Sequence, residues 1–154
     1  MNAESLQPRD PAWEAKVRDS FARQTLMRTI GARIKALAPG TCEIELPFRR
    51  DLCQQHGFLH AGITTTIADS AAGYAAFSLM PPGASVLTVE FKVNFMAPAK
   101  GERFLARGQV VRGGRTLLVA EAEVAAEEGG VRTPIAQMLA TMMCLEGTAD
   151  RPPE

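Results

Sequence analysis

Cysteine, histidine, tryptophan and tyrosine are sparse in this chain: three, two, one and one among 154 residues. Cys42, Cys53 and Cys144 are odd in number, widely separated and never arranged as Cys-x-x-Cys. A disulfide framework or thiolate zinc site is therefore not expected, and a reducing cytoplasm is the simple reading. His56 and His60 stand four apart, but no glutamate follows His56 and no third ligand accompanies the pair. Metalloprotease spacing is not met, and no metal is expected. Neither sign of charge is in excess, since 17 basic residues balance 17 acidic ones. That leaves no basic footprint for nucleic acid. Residues 1–20 hold acids and prolines and no apolar run, which speaks against a secretory signal. Ser70 and Ser78 lack a Gly-x-Ser-x-Gly setting, so a serine hydrolase is not expected.

What the chain does have is one long apolar stretch, residues 60–80, HAGITTTIADSAAGYAAFSLM. Its length approaches the ~20 residues that span a bilayer, but Thr64-Thr65-Thr66, its glycines and Asp69 argue against a span. It reads as a helix stopped by Pro81-Pro82-Gly83. Small residues, among them Ala68, Ala71, Ala72, Gly73, Ala75 and Ala76, suit a helix that lies close against a sheet. Asp69 is the only acidic or basic residue after its first residue, and an unpaired carboxylate in an apolar helix is costly.

The rest of the chain reads as one domain of helix and strand, with loose tails at 1–10 and 147–154. Asp10-Pro11 predicts a helix start, and Trp13, Val17 and Phe21 at i, i+4, i+8 carry an amphipathic helix to Leu26 or Met27. Period-two alternation then predicts strands: Ala32, Ile34 and Ala36 inward, a Pro39-Gly40 turn, then Cys42, Ile44, Leu46 and Phe48 inward. After the central helix, Leu87, Val89, Phe91, Val93 and Phe95 share one face. Phe104, Ala106, Gly108 and Val110 make a further row, and Leu118, Ala120, Ala122 and Val124 another, joined at Gly113-Gly114. Residues 134–145 are apolar on both faces, which predicts a strand covered on both sides. A single sheet must bury its apolar face, and the central helix is the only long apolar element available. The expected architecture is α+β: an antiparallel sheet wrapped around one long central helix, with an extra N-terminal helix.

Over residues 30–145 this arrangement resembles the hot-dog fold, and its central block resembles the acyl-coenzyme A thioesterases of the phenylacetate-pathway type. The motif that carries the resemblance is Gln54, then His60-Ala61-Gly62 opening the helix, then Asp69 nine residues after the histidine. The strand Val86-Leu87-Thr88-Val89-Glu90-Phe91 and the following Asn94-Phe95-Met96-Ala97-Pro98 match as well. The chain departs from the family pattern at Ala61, where the first glycine of the turn stands, and at Gln54, where this type commonly has asparagine.

The resemblance implies hydrolysis of acyl-CoA thioesters with no cofactor beyond the coenzyme A of the substrate. A helix N-terminus offers unpaired N–H groups and a favourable dipole, so Ala61 and Gly62 are candidate oxyanion donors. Asp69 is the candidate nucleophile or general base. The family implies that His60 fixes the turn, that Thr88 places a hydroxyl near the acid, and that Gln54 completes the site. Arg112 and Arg115 flank the Gly113-Gly114 turn and are candidates for the coenzyme A phosphates. Nine residues of helix span ~13 Å, too far for Asp69 to reach a carbonyl at its own helix start. In this family paired antiparallel helices bring the acid of one chain to the helix start of the other. The expectation is a homodimer or dimer of dimers, with no nucleic-acid or membrane partner. A non-catalytic acyl-CoA sensor on the same fold and a hot-dog hydratase remain as alternatives.

Overall fold

Apolar strands with turn residues between them, and one helix rich in small side chains, assemble as six antiparallel strands around that helix. The computed structural model describes residues 6–148, 150 and 151. The chain runs α1 (Trp13–Arg23), α2 (Thr25–Ile30), β1 (Arg33–Ala38), β2 (Thr41–Pro47), a 3-10 turn (Arg50–Leu52), α3 (Ala61–Phe77), β3 (Ala84–Phe95), β4 (Arg103–Gly113), β5 (Leu117–Glu128) and β6 (Val131–Glu146). In the sheet the order is β1-β2-β4-β5-β6-β3, so β3 crosses to one edge and β1 forms the other.

Helix α3 presses against the sheet so closely that backbone meets backbone. A Cβ built at Gly108 of β4 would run into the carbonyl oxygen of Ala71. Ala71, Ala72, Ala75 and Ala76 are fully buried on the other side of this contact. The inward rows of β4 and β5 follow the predicted alternation: Phe104, Ala106, Val110, Leu118, Ala120, Ala122 and Val124 are all buried.

Several boundaries and faces differ from the sequence expectation. The N-terminal helix is two helices, because Gln24 takes extended backbone angles (φ −69°, ψ 100°) and Gly31 closes the second in the left-handed region. In β1 an irregularity between Ile34 and Ala36 shifts the register, so Leu37 rather than Ala36 turns toward the core. Phe48 lies beyond β2 and is exposed. The outward Glu45 is buried nonetheless, beneath Arg33 and Arg103. Helix α3 ends at Phe77, three residues short of Met80, as the amides of Leu79 and Met80 switch to i−3 acceptors and the chain tightens. Strand β6 is sealed on one face, where Ala136, Met138, Ala140 and Met142 are buried, and only half covered on the other, where Gln137, Thr141, Met143 and Leu145 are half-buried and Leu139 is 55% exposed.

Residues 6–10, expected as part of a loose arm, lie docked. Leu6 packs beside Gly40, Arg9 donates to the Leu79 carbonyl at 3.1 Å, and Asp10 is buried against Lys16. Lys16 in turn donates to the Met80 carbonyl at 2.7 Å, which fastens α1 to the end of α3. At the other tail, Arg23 holds the carboxylate of Asp150 at 2.8 Å. The earlier residues of the arm, 1–5, and residues 149 and 152–154 lie outside the described residues.

Candidate active site

The start of α3 is organised by His60. Its extended backbone (φ −62°, ψ 137°) makes it the N-cap, and its Nδ1 accepts the Gly62 N–H at 2.8 Å. Its carbonyl accepts from Ile63 and Thr64, and its own N–H donates to the Leu52 carbonyl at 3.0 Å. A Cβ at Gly62 would sit 3.0 Å from Nδ1, so glycine leaves the imidazole its place. Ala61 needs no glycine, because its φ is not positive. This capping has a chemical consequence. The Gly62 N–H, expected as an oxyanion donor, is already committed to His60. The Ala61 N–H has no acceptor among the described residues.

Ala61 borders a cleft of about 250 Å³ whose walls include Gln54, Phe58, Thr64, Phe95 and Ile135. Gln54 sits in a tight loop, where its backbone N–H donates to Phe58 and its carbonyl accepts from Gly57. Its side-chain oxygen accepts the His56 N–H, which leaves its amide N–H groups as donors. The walls are otherwise mostly apolar. Phe95 is half exposed, at the end of edge strand β3.

Asp69 lies further along α3 and does not border this cleft. Its Oδ1 accepts the Thr88 hydroxyl at 2.9 Å. Partial burial pushes the Asp69 carboxyl above the usual aspartate range, and the Thr88 hydrogen bond pulls it part of the way back. Thr88 faces the helix because the β3–β6 register shifts between Thr88 and Glu90. The same shift splits the predicted β3 face. Leu87 pairs with Met143, whereas Phe91 and Phe95 pair with the inward Ala140 and Ala136.

Within one chain, then, Ala61 and Gln54 meet at the cleft, Asp69 and Thr88 meet on α3, and helical rise keeps the two pairs ~13 Å apart. Arg112 and Arg115 join neither pair. Arg112 lies on β4 opposite Val119, and Arg115 borders a separate cleft of about 430 Å³ with Leu6, Arg9 and Leu79, beyond the C-terminus of α3. His56 is an exposed loop residue. Of the cleft-lining residues, Phe95 belongs to the strand that carried the resemblance, whereas Thr64 and Ile135 were not singled out by motif. Thr64 follows Ala61 by three, a same-face helical spacing that could have flagged it.

The chain belongs to the thioesterase superfamily, whose family model matches residues 56–133, and its fold is the hot-dog fold. A solved thioesterase family protein from Silicibacter pomeroyi is similar at 60% identity and a TM-score of 0.87, covering 88% of this chain and 99% of that one. A presumptive esterase of Halobacterium salinarum is 32% identical over 104 residues, 64% of this chain and 68% of that protein. The 1,4-dihydroxy-2-naphthoyl-CoA hydrolase of Listeria monocytogenes is 26% identical, over 66% of this chain and 83% of its own length. Hydrolysis of thioesters is the chemistry of the superfamily. Among the described residues no helix is long and apolar enough to cross a membrane.

Proposed function

We propose that the protein hydrolyses acyl-CoA thioesters with aryl-acyl or medium-chain acyl groups, in a site shared between two copies of the chain. The observation that carries this reading is the separation of the two half-sites. The α3 carboxylate of Asp69 is held by Thr88 of β3, with no positive partner among the described residues. An uncommitted N–H and a glutamine amide meet instead at an apolar cleft of acyl size. Two α3 helices running antiparallel across a dimer would bring Asp69 of one copy to Ala61 and Gln54 of the other. The exposed Phe91, Phe95 and Met96 on and beside edge strand β3 supply apolar surface for such a contact.

In this reading the carbonyl rests against the Ala61 N–H and the Gln54 amide. Asp69 either attacks the carbonyl carbon or takes a proton from the attacking water. The hydrolase from Listeria monocytogenes supports a CoA thioester as the substrate. Arg115, beside Arg9, is the candidate for the coenzyme A phosphates, with Arg112 near it on β4.

Release of free thiol from a panel of phenylacetyl-, benzoyl- and medium-chain acyl-CoA thioesters tests the proposal. Turnover supports it. Tight acyl-CoA binding without turnover would make the protein a sensor instead.

A further inference from the structure

We propose that the Thr64 hydroxyl is a catalytic donor, a further hydrogen bond to the thioester oxygen beside those of the Ala61 N–H and the Gln54 amide; this role rests on the thioesterase reading above. Thr64 is 1% exposed. Its two neighbours fold their hydroxyls back onto the helix, Thr65 to the Ala61 carbonyl and Thr66 to the Gly62 carbonyl, each at 2.8 Å. Thr64 makes no such bond, and its hydroxyl has no partner among the described residues. Among the described residues no side-chain nitrogen or oxygen is both sealed from solvent and unpartnered. The Thr64 oxygen therefore opens onto the cleft whose wall it forms.

Its position fits the role. Thr64 stands one turn after Ala61, and helical side chains lean toward the helix N-terminus. The hydroxyl thus lies over the first turn, on the side where both residues border the cleft. The role also meets a need. An oxyanion is best stabilised by convergent, preorganised donors, and the capping by His60 removes the Gly62 N–H from the set. A wall that only packed an apolar acyl group would be better served by valine, since an unpartnered hydroxyl in an apolar surface is unfavourable.

During the reaction the carbonyl π pair moves to oxygen as the attacking oxygen bonds to carbon. It returns as the C–S bond breaks, and the proton lost by water reaches the departing sulfur. Thr64 donates a hydrogen bond throughout and keeps its proton.

Steady-state kinetics of Thr64→Val and Thr64→Ser, on whichever CoA thioester of the panel is turned over fastest, test this. Thr64→Val should lower kcat by ~10²-fold, the scale of one lost oxyanion donor, with KM unchanged, while Thr64→Ser keeps most of the rate. Near-normal kcat in Thr64→Val would overturn the role. So would a loss confined to KM, or a serine variant as slow as the valine one. Should the valine variant fail to fold, Thr64→Ala against Thr64→Ser gives the same comparison. A wild-type protein that turns over no thioester overturns the thioesterase reading and this role together; an active wild type indifferent to Thr64→Val overturns this role alone.

Discussion

The Thr88 hydroxyl and the Asp69 carboxylate, 2.9 Å apart, tie the middle of α3 to the edge strand of the sheet. Thr88 is placed there by the register shift after it in β3, and Asp69 by two turns of helix from Ala61. The bond favours the ionised carboxylate, whereas burial opposes it, and burial is the larger effect.

The acid limb of the pH–rate profile follows from this balance. If ionised Asp69 is the reacting form, kcat/KM should fall on acidification with an apparent pKa above the ordinary aspartate value of ~4. Thr88→Val removes the donor and should move the limb to still higher pH. An identical limb in wild type and Thr88→Val would show that Asp69 does not control it.

Asp69→Asn should lower kcat by at least ~10²-fold, the scale of a lost base, while raising stability at neutral pH. The sign follows from linkage. A carboxyl whose folded pKa lies above its unfolded one binds more protons when folded, so its ionisation costs stability above the folded pKa. Asparagine removes that cost. The gain in thermal midpoint should be full at neutral pH and vanish below the unfolded aspartate pKa. A neutral-pH midpoint lower than wild type would contradict the direction.

Mixing Asp69→Asn with Gln54→Ala chains tests the shared site. A heterodimer of these holds one doubly damaged site and one intact site. Random pairing through a two-fold interface leaves about a quarter of all sites intact, and activity should recover to that level. Verified heterodimers with no recovered turnover would place each site within one chain.

Gly108→Ala should destabilise the fold by at least ~2 kcal/mol, at the scale of overpacking a core that cannot relax. The added methyl meets the Ala71 backbone rather than a flexible side chain. Chemical denaturation checks this. A midpoint within error of wild type would mean that α3 and β4 can separate without cost.

The central strands were legible in the sequence because their core stretches run in regular pleat, the irregularities falling only after Val110 in β4 and after Val124 in β5. Period-two alternation over Phe104, Ala106 and Val110, and over Leu118, Ala120 and Ala122, maps onto burial under a single helix. The edges were not. One extra residue flips every later side chain to the opposite face, so the irregularities in β1 and after Thr88 undid an alternation that looked equally clean. The apolar residues of β6 promised cover on both faces, but apolar sequence does not say what covers it, and Leu139 stands exposed. The order of the candidate site along the chain, Gln54, His60 and Asp69, was also readable, and so was its division, since helical rise alone separates the helix start from the acid. Which hydrogen bonds are already taken was decided only by the tertiary structure. Where the His60 imidazole turns, and thus that the Gly62 N–H is occupied while the Thr64 hydroxyl is not, depends on side-chain rotamers, which the surrounding packing selects.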